Sequence, residues 1–264
     1  MTFPIKQALI HDINFPKEPY RHGYGKPEGV VFHCTDSPGR PDTAVNEAAF
    51  EARTWSNAFV HFFVDDKEII QVADTDNLAW GCGSVGNPRF VQIELCMIDD
   101  PEQFKEAYAR YVWLGASMLH KNGLDASPAP NGTIWAHADV SKYLGDTDHT
   151  DPIAYLQSHG ITWDKHIENV QRELAALKAP TPQIEVLVQG KQFKAIIVDG
   201  TTYVLWAALV ALKTPHDYKG DGVMMVDGSK IQGVVYDGDT YLPWHSLAPG
   251  IKAEKVNGIW HFTH

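Results

Sequence analysis

The chain has 264 residues, of which 44% are hydrophobic, so it can bury one full core and a smaller second one. Its formal net charge of −11 is concentrated in residues 1–182, which hold 15 basic and 25 acidic residues, whereas residues 183–264 hold 7 Lys and 8 Asp or Glu. This balance excludes nucleic acid as a partner, because nucleic-acid binding depends on Lys and Arg that neutralise phosphates. No apolar run reaches transmembrane length, so no membrane insertion is expected, and three cysteines without a C-x-x-C spacing imply no disulfide framework.

The first predicted strand is the apolar run over residues 30–32, and it ends at His33. Residues 35–39 are rich in loop-forming types, so His33 stands at a strand end, where functional sites gather. His137 has the same context, since it follows the strand-like run over residues 133–136 and precedes a loop rich in Ser, Gly and Asp. A single histidine in this context is more often structural, but the repetition favours a shared site.

A second predicted strand spans residues 90–97 and alternates in polarity. Its apolar positions fall on one face, which places Gln92 and Glu94 together on the other. A lone glutamate on such a strand is usually a solvent-facing carboxylate. The other interpretation of Glu94 is a general base, because a zinc hydrolase needs a carboxylate that takes a proton from the attacking water.

The clearest helix is predicted over residues 101–122, with Pro101 at its start, Gly123 after its end and aromatic and apolar residues recurring at helical spacing. We interpret these regularly spaced aromatic and apolar residues as part of the hydrophobic core. Strand-like and helix-like runs alternate through this part of the chain. They predict an α/β fold with a mixed central β-sheet flanked by helices.

The loop after His137 brings further candidate ligands in the sequence Thr-Asp-His-Thr-Asp-Pro over residues 147–152. Together with the two strand-end histidines, it offers the mixed nitrogen and oxygen ligands that Zn²⁺ takes when one position must stay open for water. His149 and Asp151 both lie within reach, and one of them is expected to bind. Pro152 is predicted at the first position of a helix, which would fix the Asp151 carboxylate, although Asp151 could also be only an N-cap.

These segments resemble the zinc-dependent N-acetylmuramoyl-L-alanine amidases of the type 2 amidase and peptidoglycan-recognition fold. The resemblance covers about residues 25–165, and its landmarks follow the family's order. They are the segments 30–33, 61–71, 79–83, 92–95 and 137–152. The resemblance implies Zn²⁺ as the cofactor and bacterial peptidoglycan as the substrate.

The resemblance also implies a role for each candidate residue. His33, His137 and Asp151 are the zinc ligands in this interpretation. Glu94 is the catalytic carboxylate, and His149 takes the position of a group that stabilises the oxyanion. These roles agree with the interpretation drawn from the residues themselves.

One segment departs from the family pattern, since the family's Ala-Trp-His-Ala-Gly is Ala-Trp-Gly-Cys-Gly over residues 79–83. A side chain that would line the substrate groove is therefore missing at Gly81. We predict that Trp80 and Asn87 bind substrate. His61 is expected to be a buried packing residue beneath the site.

A proline-punctuated segment follows a helix predicted over residues 163–177 and is typical of a semi-stiff linker. The predicted organisation is a catalytic domain over residues 1–175, a linker over residues 176–184 and a small β-rich domain over residues 185–264.

The small domain contains an internal repeat, because residues 190–206 align with residues 228–244 at a constant offset of 38. Asp-Gly between apolar runs predicts a β-hairpin and then a short helical turn in each copy, and two copies favour one composite domain. The repeat loosely resembles copper amine oxidase N-terminal-like modules of Firmicute wall proteins and phage lysins, which implies cell-wall binding. The competing interpretation is a core role alone for the repeat's aromatic residues, which are Tyr203, Tyr241, Trp206 and Trp244.

The N-terminus has neither the basic start nor the apolar core of a signal peptide, so synthesis in a host cytoplasm and action on the bacterial cell wall are expected. This combination fits a phage endolysin, with export by a holin-like protein. Two other functions stay open, namely a peptidoglycan-recognition module that binds without cutting and a zinc-dependent wall peptidase. The ligand set and Glu94 favour an enzyme, whereas the choice of amidase over peptidase rests on the resemblance.

Overall fold

The computed structural model describes residues 2–35, 42–179, 181–198 and 200–264. Of the loop predicted over residues 35–39, all but Thr35 lies outside the described residues. The chain divides into two compact units, one from Thr2 to Ala179 and one beyond Ala179.

The first unit alternates strands and helices along the chain. Its described strands are β1 (Ile5–Gln7), β2 (Gly29–Cys34), β3 (Phe62–Val64), β4 (Ile69–Gln71), β5 (Phe90–Leu95) and β6 (Ile134–Ala136). Its described helices are α1 (Ala44–Thr54), α2 (Gly83–Gly86), α3 (Pro101–Lys121), α4 (His137–Tyr143), α5 (Ile153–Ser158) and α6 (Trp163–Lys178).

These strands form one mixed sheet in the order β1-β4-β3-β5-β2-β6. Strands β3, β5, β2 and β6 run parallel to one another, while β4 pairs antiparallel with β3 and parallel with β1. The predicted α/β class, with a mixed sheet and flanking helices, is confirmed. Because β2 lies between β5 and β6, the carboxyl ends of these three strands share one edge of the sheet.

Helix α3 covers one face of the sheet with its apolar side, and it has the predicted extent except that Asn122 is its C-cap. The Asp100 side chain accepts hydrogen bonds from two backbone N–H groups of the first turn, which begins with Pro101. Gly115 lies directly against the Phe32 ring of β2, where a Cβ atom would overlap the ring. Because side chains alternate between the two faces, His33 and the polar residues of β5 lie on the opposite face of the sheet.

Helix α5 begins one residue later than predicted. Pro152 occupies the N-cap position and the helix starts at Ile153, so Pro152 is not its first residue. Asp151 lies before the cap, and its carboxylate is directed to the strand-end histidines instead of to the helix. The N-cap interpretation of Asp151 is therefore wrong.

The predicted linker over residues 176–184 is shorter in the structure. Helix α6 continues through Lys178, because the Ala-Ala-Leu-Lys run is strongly helix-forming, and β7 begins at Gln183. Only Ala179, Thr181 and Pro182 of the described linker residues lie outside helix and strand.

The second unit is β-rich, as predicted. Its described strands are β7 (Gln183–Val188), β8 (Lys191–Val198), β9 (Thr201–Leu205), β10 (His216–Gly220), β11 (Val223–Val226), β12 (Ser229–Gln232), β13 (Val234–Tyr236), β14 (Asp239–Pro243), β15 (Lys252–Val256) and β16 (Ile259–Thr263). Helix α7 (Ala208–Leu212) and a 3₁₀ helix (Trp244–Ser246) connect them. One sheet has the order β13-β14-β9-β8-β7-β16-β15, and β10, β11 and β12 form another.

The sequence repeat corresponds to two hairpins, β8–β9 and β13–β14, that join one sheet through pairing of β14 with β9. A helical turn follows each hairpin, α7 in the first copy and the 3₁₀ helix in the second. The copies differ at Gly233, which separates β12 from β13 where the first copy has Ala195 inside β8. A Cβ atom at Gly233 would collide with the carbonyl oxygen of Tyr241.

Among the described residues, none of the helices combines the length and the apolar composition needed to cross a bilayer.

Candidate metal centre

The sheet register brings the candidate residues to one edge. His33 of β2 and Glu94 of β5 are register partners in neighbouring parallel strands. Phe32 pairs with Ala136 at the end of β6, so His137 directly follows at the same level. Asp151 reaches this edge from the loop before α5, where its carbonyl oxygen accepts a hydrogen bond from Ala138 N at 3.0 Å.

Three side chains converge at this edge. The Nδ1 atoms of His33 and His137 lie 3.0 Å apart. One carboxylate oxygen of Asp151 lies 3.2 Å from His137 Nδ1, and the other lies 3.4 Å from His33 Nδ1. These three residues form a group of potential metal ligands in the described part of the chain.

The spacing of the candidate ligand atoms suits one small divalent cation. Ligands about 2.0 Å from a tetrahedral Zn²⁺ lie about 3.3 Å from one another. The two imidazole nitrogens are 3.0 Å apart, and each lies 3.2 or 3.4 Å from a different carboxylate oxygen of Asp151, so each distance is close to that value. Two imidazole nitrogens and one carboxylate are also a donor set that Zn²⁺ accepts in sites with an open position.

Neighbouring groups hold the ligands in place. The backbone N–H of Cys34 donates to Asp151 Oδ2 at 3.3 Å. His137 Nε2 lies 3.0 Å from Thr147 Oγ1, which fixes the ring orientation. At the start of α4, the Asp139 carboxylate accepts a hydrogen bond from the backbone N–H of Ala136 at 3.0 Å.

The charges of the ligands suit a cation. Burial raises the pKa of Asp151, but hydrogen bonds with His137 and His33 outweigh burial and hold that pKa well below its usual range. Burial lowers the pKa of His33, which favours the neutral imidazole. A metal binds deprotonated ligands, so both directions favour the binding form.

His149 lies beside the three-residue group and is exposed. Its ring stacks on His137 with centroids 4.6 Å apart and planes 15° apart, and its Nδ1 lies 3.7 Å from Asp151 Oδ1. Of the two candidate third ligands, the geometry therefore groups Asp151 with the histidines and leaves His149 at the rim.

Glu94 does not face open solvent. Its side chain is half-buried, and its Oε2 has no hydrogen-bond partner among the described residues. Burial raises the pKa of Glu94 well above its usual value, and the charges of Asp151 and Glu51 raise it further. A carboxyl shifted in this direction suits a group that takes and returns a proton.

A cleft of about 800 Å³ opens over these residues. His33, His137, Asp151, Glu94 and His149 all line it. The lining also includes Glu51, Val60 and Gly81. Gly81 is closely packed, since a Cβ atom there would overlap Gln92 Oε1 and would meet Val60 Cγ1 at 2.8 Å.

Glu51 also lines the cleft, although its sequence pattern did not mark it as a site residue. This residue lies on the inward face of α1, 8% exposed, and its Oε2 accepts a hydrogen bond from the backbone N–H of Val60 at 3.0 Å. Its Oε1 has no partner among the described residues. The available signal was a glutamate at helical spacing from Ala44 and Ala48 on an apolar helix face.

Trp80 and Asn87 are not among the described residues that line the cleft. The Trp80 ring packs against Phe59 with centroids 5.3 Å apart, and Asn87 Oδ1 accepts a hydrogen bond from Cys82 N at 2.9 Å. Their substrate-binding role stays a prediction.

His61 is fully buried just before β3, as expected. Its Nδ1 accepts a hydrogen bond from Gln92 N at 3.0 Å, and its Nε2 lies 2.9 Å from Asn77 O. Both ring nitrogens are thus engaged in structural contacts.

The fold and the cluster together define a class of hydrolase, in which a mixed α/β sheet carries a candidate metal centre and a neighbouring carboxyl at one edge. Residues 23–154 match the family model described as N-acetylmuramoyl-L-alanine amidase. Because the match spans half of the chain, the chain belongs to this amidase family.

A curated relative, the bifunctional autolysin of Staphylococcus aureus, is 44% identical over 154 residues, which are 57% of this chain and 12% of that protein. Among solved structures, the Staphylococcus aureus hydrolase AmiA in complex with its ligand is 38% identical, with a TM-score of 0.63 over 67% of this chain and 86% of that chain. The PlyG catalytic domain has the same fold at 19% identity, with a TM-score of 0.52 over 68% of this chain and 100% of that one.

Proposed function

We propose that this chain is a peptidoglycan hydrolase that cleaves the amide bond between N-acetylmuramic acid and L-alanine, with Zn²⁺ as its cofactor. The observation that carries the proposal is the convergence of the His33, His137 and Asp151 ligand atoms, 3.0 to 3.4 Å apart, at the edge of a cleft that Glu94 also lines. Membership of the amidase family supports the choice of bond.

His33, His137 and Asp151 would hold the ion. When bound, Zn²⁺ supplies a water with a pKa lowered to about 7 and polarises the substrate carbonyl. Glu94 accepts a proton from the attacking water and returns it to the leaving nitrogen. His149, exposed at the rim, stabilises the negative charge that develops on the carbonyl oxygen.

The two alternative functions receive less support. A module that only binds peptidoglycan needs neither a third ligand nor a half-buried carboxyl with a buried oxygen that lacks a partner among the described residues, yet Asp151 and Glu94 provide both. A wall peptidase could use the same residues, so family membership is what favours the amidase. The predicted endolysin setting, with a holin-like export partner, stays a prediction.

The metal assignment is tested by elemental analysis of the purified chain and its variants. We expect one zinc per chain, loss of the metal in His137→Ala and Asp151→Ala, and full zinc in His149→Ala. The His149→Ala rate should fall by about 10² to 10³, the effect of losing one oxyanion donor. If zinc is retained in Asp151→Ala but lost in His149→Ala, the third ligand is His149 and not Asp151.

The reaction is tested by mass spectrometry of digested peptidoglycan. An amidase releases stem peptides with a free L-alanine amine, and cuts inside the peptide would favour the peptidase. Glu94→Gln should keep zinc and fold while its rate falls by at least about 10² to 10⁴. Wild-type turnover in Glu94→Gln would remove Glu94 from the mechanism.

For residues 185–264 we propose binding to the bacterial cell wall. Support comes from the division of the chain, which makes these residues a compact unit of their own, and from two aromatic side chains, Trp206 and Tyr218, that this unit exposes beside one cavity. Its near-neutral charge also avoids the repulsion that the acidic first part would meet at an anionic wall.

A further inference from the structure

A second cavity, of about 450 Å³, opens in the second unit. Its walls come from the end of β9, from β10 and β11, and from the turn into β14. The side chains that line it include Trp206, His216, Asp217, Tyr218, Met224 and Asp239. Nothing in the catalytic proposal uses this cavity.

The internal repeat provides a comparison for Trp206. Its counterpart at the offset of 38 is Trp244, which stacks on Phe262 with centroids 5.4 Å apart and packs against the core. Trp206 is 37% exposed and its ring lines the cavity. The core interpretation therefore accounts for Trp244, and likewise for Tyr241 at 3% exposure, but it does not account for Trp206.

A second aromatic ring and several polar groups accompany Trp206. Tyr218 is 55% exposed on β10. His216 Nδ1 lies 2.8 Å from the carbonyl oxygen of Thr214, to which it donates, so Nε2 is the ring nitrogen left to contact a ligand. Asp217 and Asp239 add exposed carboxylate acceptors.

We propose that this cavity binds a sugar ring of the wall glycan. A pyranose ring has an apolar C–H face that packs against aromatic rings and a rim of hydroxyl and N-acetyl groups that donate to carboxylates and imidazole. The exposed tryptophan and tyrosine match the apolar face, and the neighbouring carboxylates and histidine match the polar rim. The inference rests on the proposed wall-binding function and names the ligand of that function.

The charges at the cavity favour the glycan as a ligand over the other wall components. The Asp239 carboxylate repels phosphate-rich polymers, which are anionic. Asp217 already pairs with Lys219, which reduces its attraction for the ammonium group of a stem peptide. The uncharged N-acetylglucosamine rings of the glycan meet neither obstacle, whereas N-acetylmuramic acid without its peptide carries a carboxylate.

The experiment uses the full chain and isothermal titration calorimetry with three probes. These are peptide-free glycan strands, soluble stem peptides and purified wall teichoic acid. We expect the glycan strands to bind through the second unit, with affinity reduced at least about tenfold in both Trp206→Ala and Tyr218→Ala. Trp206→Phe, which keeps an aromatic face, should recover part of the loss.

Val210→Ala is the matched control, since Val210 is an exposed apolar residue of α7 outside the cavity lining. It should bind glycan strands like the wild type. Unchanged glycan affinity in both Trp206→Ala and Tyr218→Ala would overturn the proposal, and so would binding of teichoic acid or stem peptide at this cavity in place of glycan. Amidase turnover of a soluble muropeptide, measured on the same samples, reports separately on the catalytic proposal and should be equal in all these variants.

Discussion

The Glu51 carboxyl is a destabilising group in the wall of the cleft. One of its oxygens accepts a hydrogen bond from Val60 N, and the other is buried without a partner among the described residues. Burial raises the pKa of Glu51 well above its usual value. An uncompensated buried charge costs free energy of folding, so we expect this residue to be retained for what it does in the cleft.

Glu51→Gln is predicted to raise the free energy of unfolding at neutral pH. The pKa of Glu51 is higher in the folded than in the unfolded chain, so wild-type stability falls as pH rises above the ordinary value of 4.5. Each unit of pKa difference is worth about 1.4 kcal/mol. Glutamine keeps the acceptor for Val60 N without the charge, so its gain in Tm should grow between acidic and neutral pH.

Thermal unfolding of Glu51→Gln and wild type across this pH range measures the effect. Glu102→Gln is the matched control, because Glu102 is exposed in the first turn of α3 and should show no gain that grows with pH. A Glu51→Gln protein less stable than the wild type at neutral pH would mean that the carboxylate has a stabilising partner.

At the scale of elements, the sequence predicted strands β2, β5 and β6 and the long helix α3 because their patterns are local. His33 and His137 were recognisable as strand-end residues, and the alternation of β5 assigned Glu94 to the polar face. The parallel order β5-β2-β6 then brings these positions together. That pairing depends on long-range contacts, which periodicity alone does not contain.

Other features could not be read locally. The placement of Asp151 as the candidate third ligand depends on how the loop before α5 folds back, and the hydrogen bond from Ala138 N to Asp151 O is a tertiary contact. Glu51 was not predicted as a site residue, because helix α1 has this carboxylate on its inward side, where apolar residues are usual. The error at the linker arose because a proline-rich composition was given more weight than the helix-forming Ala-Ala-Leu-Lys run before it.

Gly115→Ala tests the packing of α3 on β2. Alanine is the better helix former, yet its Cβ would overlap the Phe32 ring, and overpacking costs about 1 to 3 kcal/mol. Denaturant unfolding should therefore show a loss of stability. Ser117→Ala, two residues along the same helix, should stay within about 0.5 kcal/mol of the wild type, and a stabilised Gly115→Ala would mean that the Phe32 ring can move aside.

At the scale of the whole molecule, the two units have separate cores. In the described part of the chain, the main core of the first unit includes nothing beyond Leu177, and its α6 contribution comes from buried Ile167, Val170 and Leu174. The second unit has its own cluster, with Val186 of β7 among its members. Each unit therefore has an apolar core made of its own residues.

This separation predicts the result of truncation after Pro182. The shortened chain keeps all of α6 and loses β7, so it should stay folded, bind zinc and cleave soluble muropeptide at the wild-type rate. Its sedimentation with intact cell walls should fall by at least about tenfold, because the proposed wall-binding unit is gone.

A chain ending at residue 162 is the contrasting variant, since it also removes the buried face of α6 and should not fold. If the chain ending at Pro182 sediments with walls as well as the full chain does, while a fluorescent fusion of residues 183–264 leaves those walls unlabelled, the second unit has another role and wall binding must be sought in the acidic first unit.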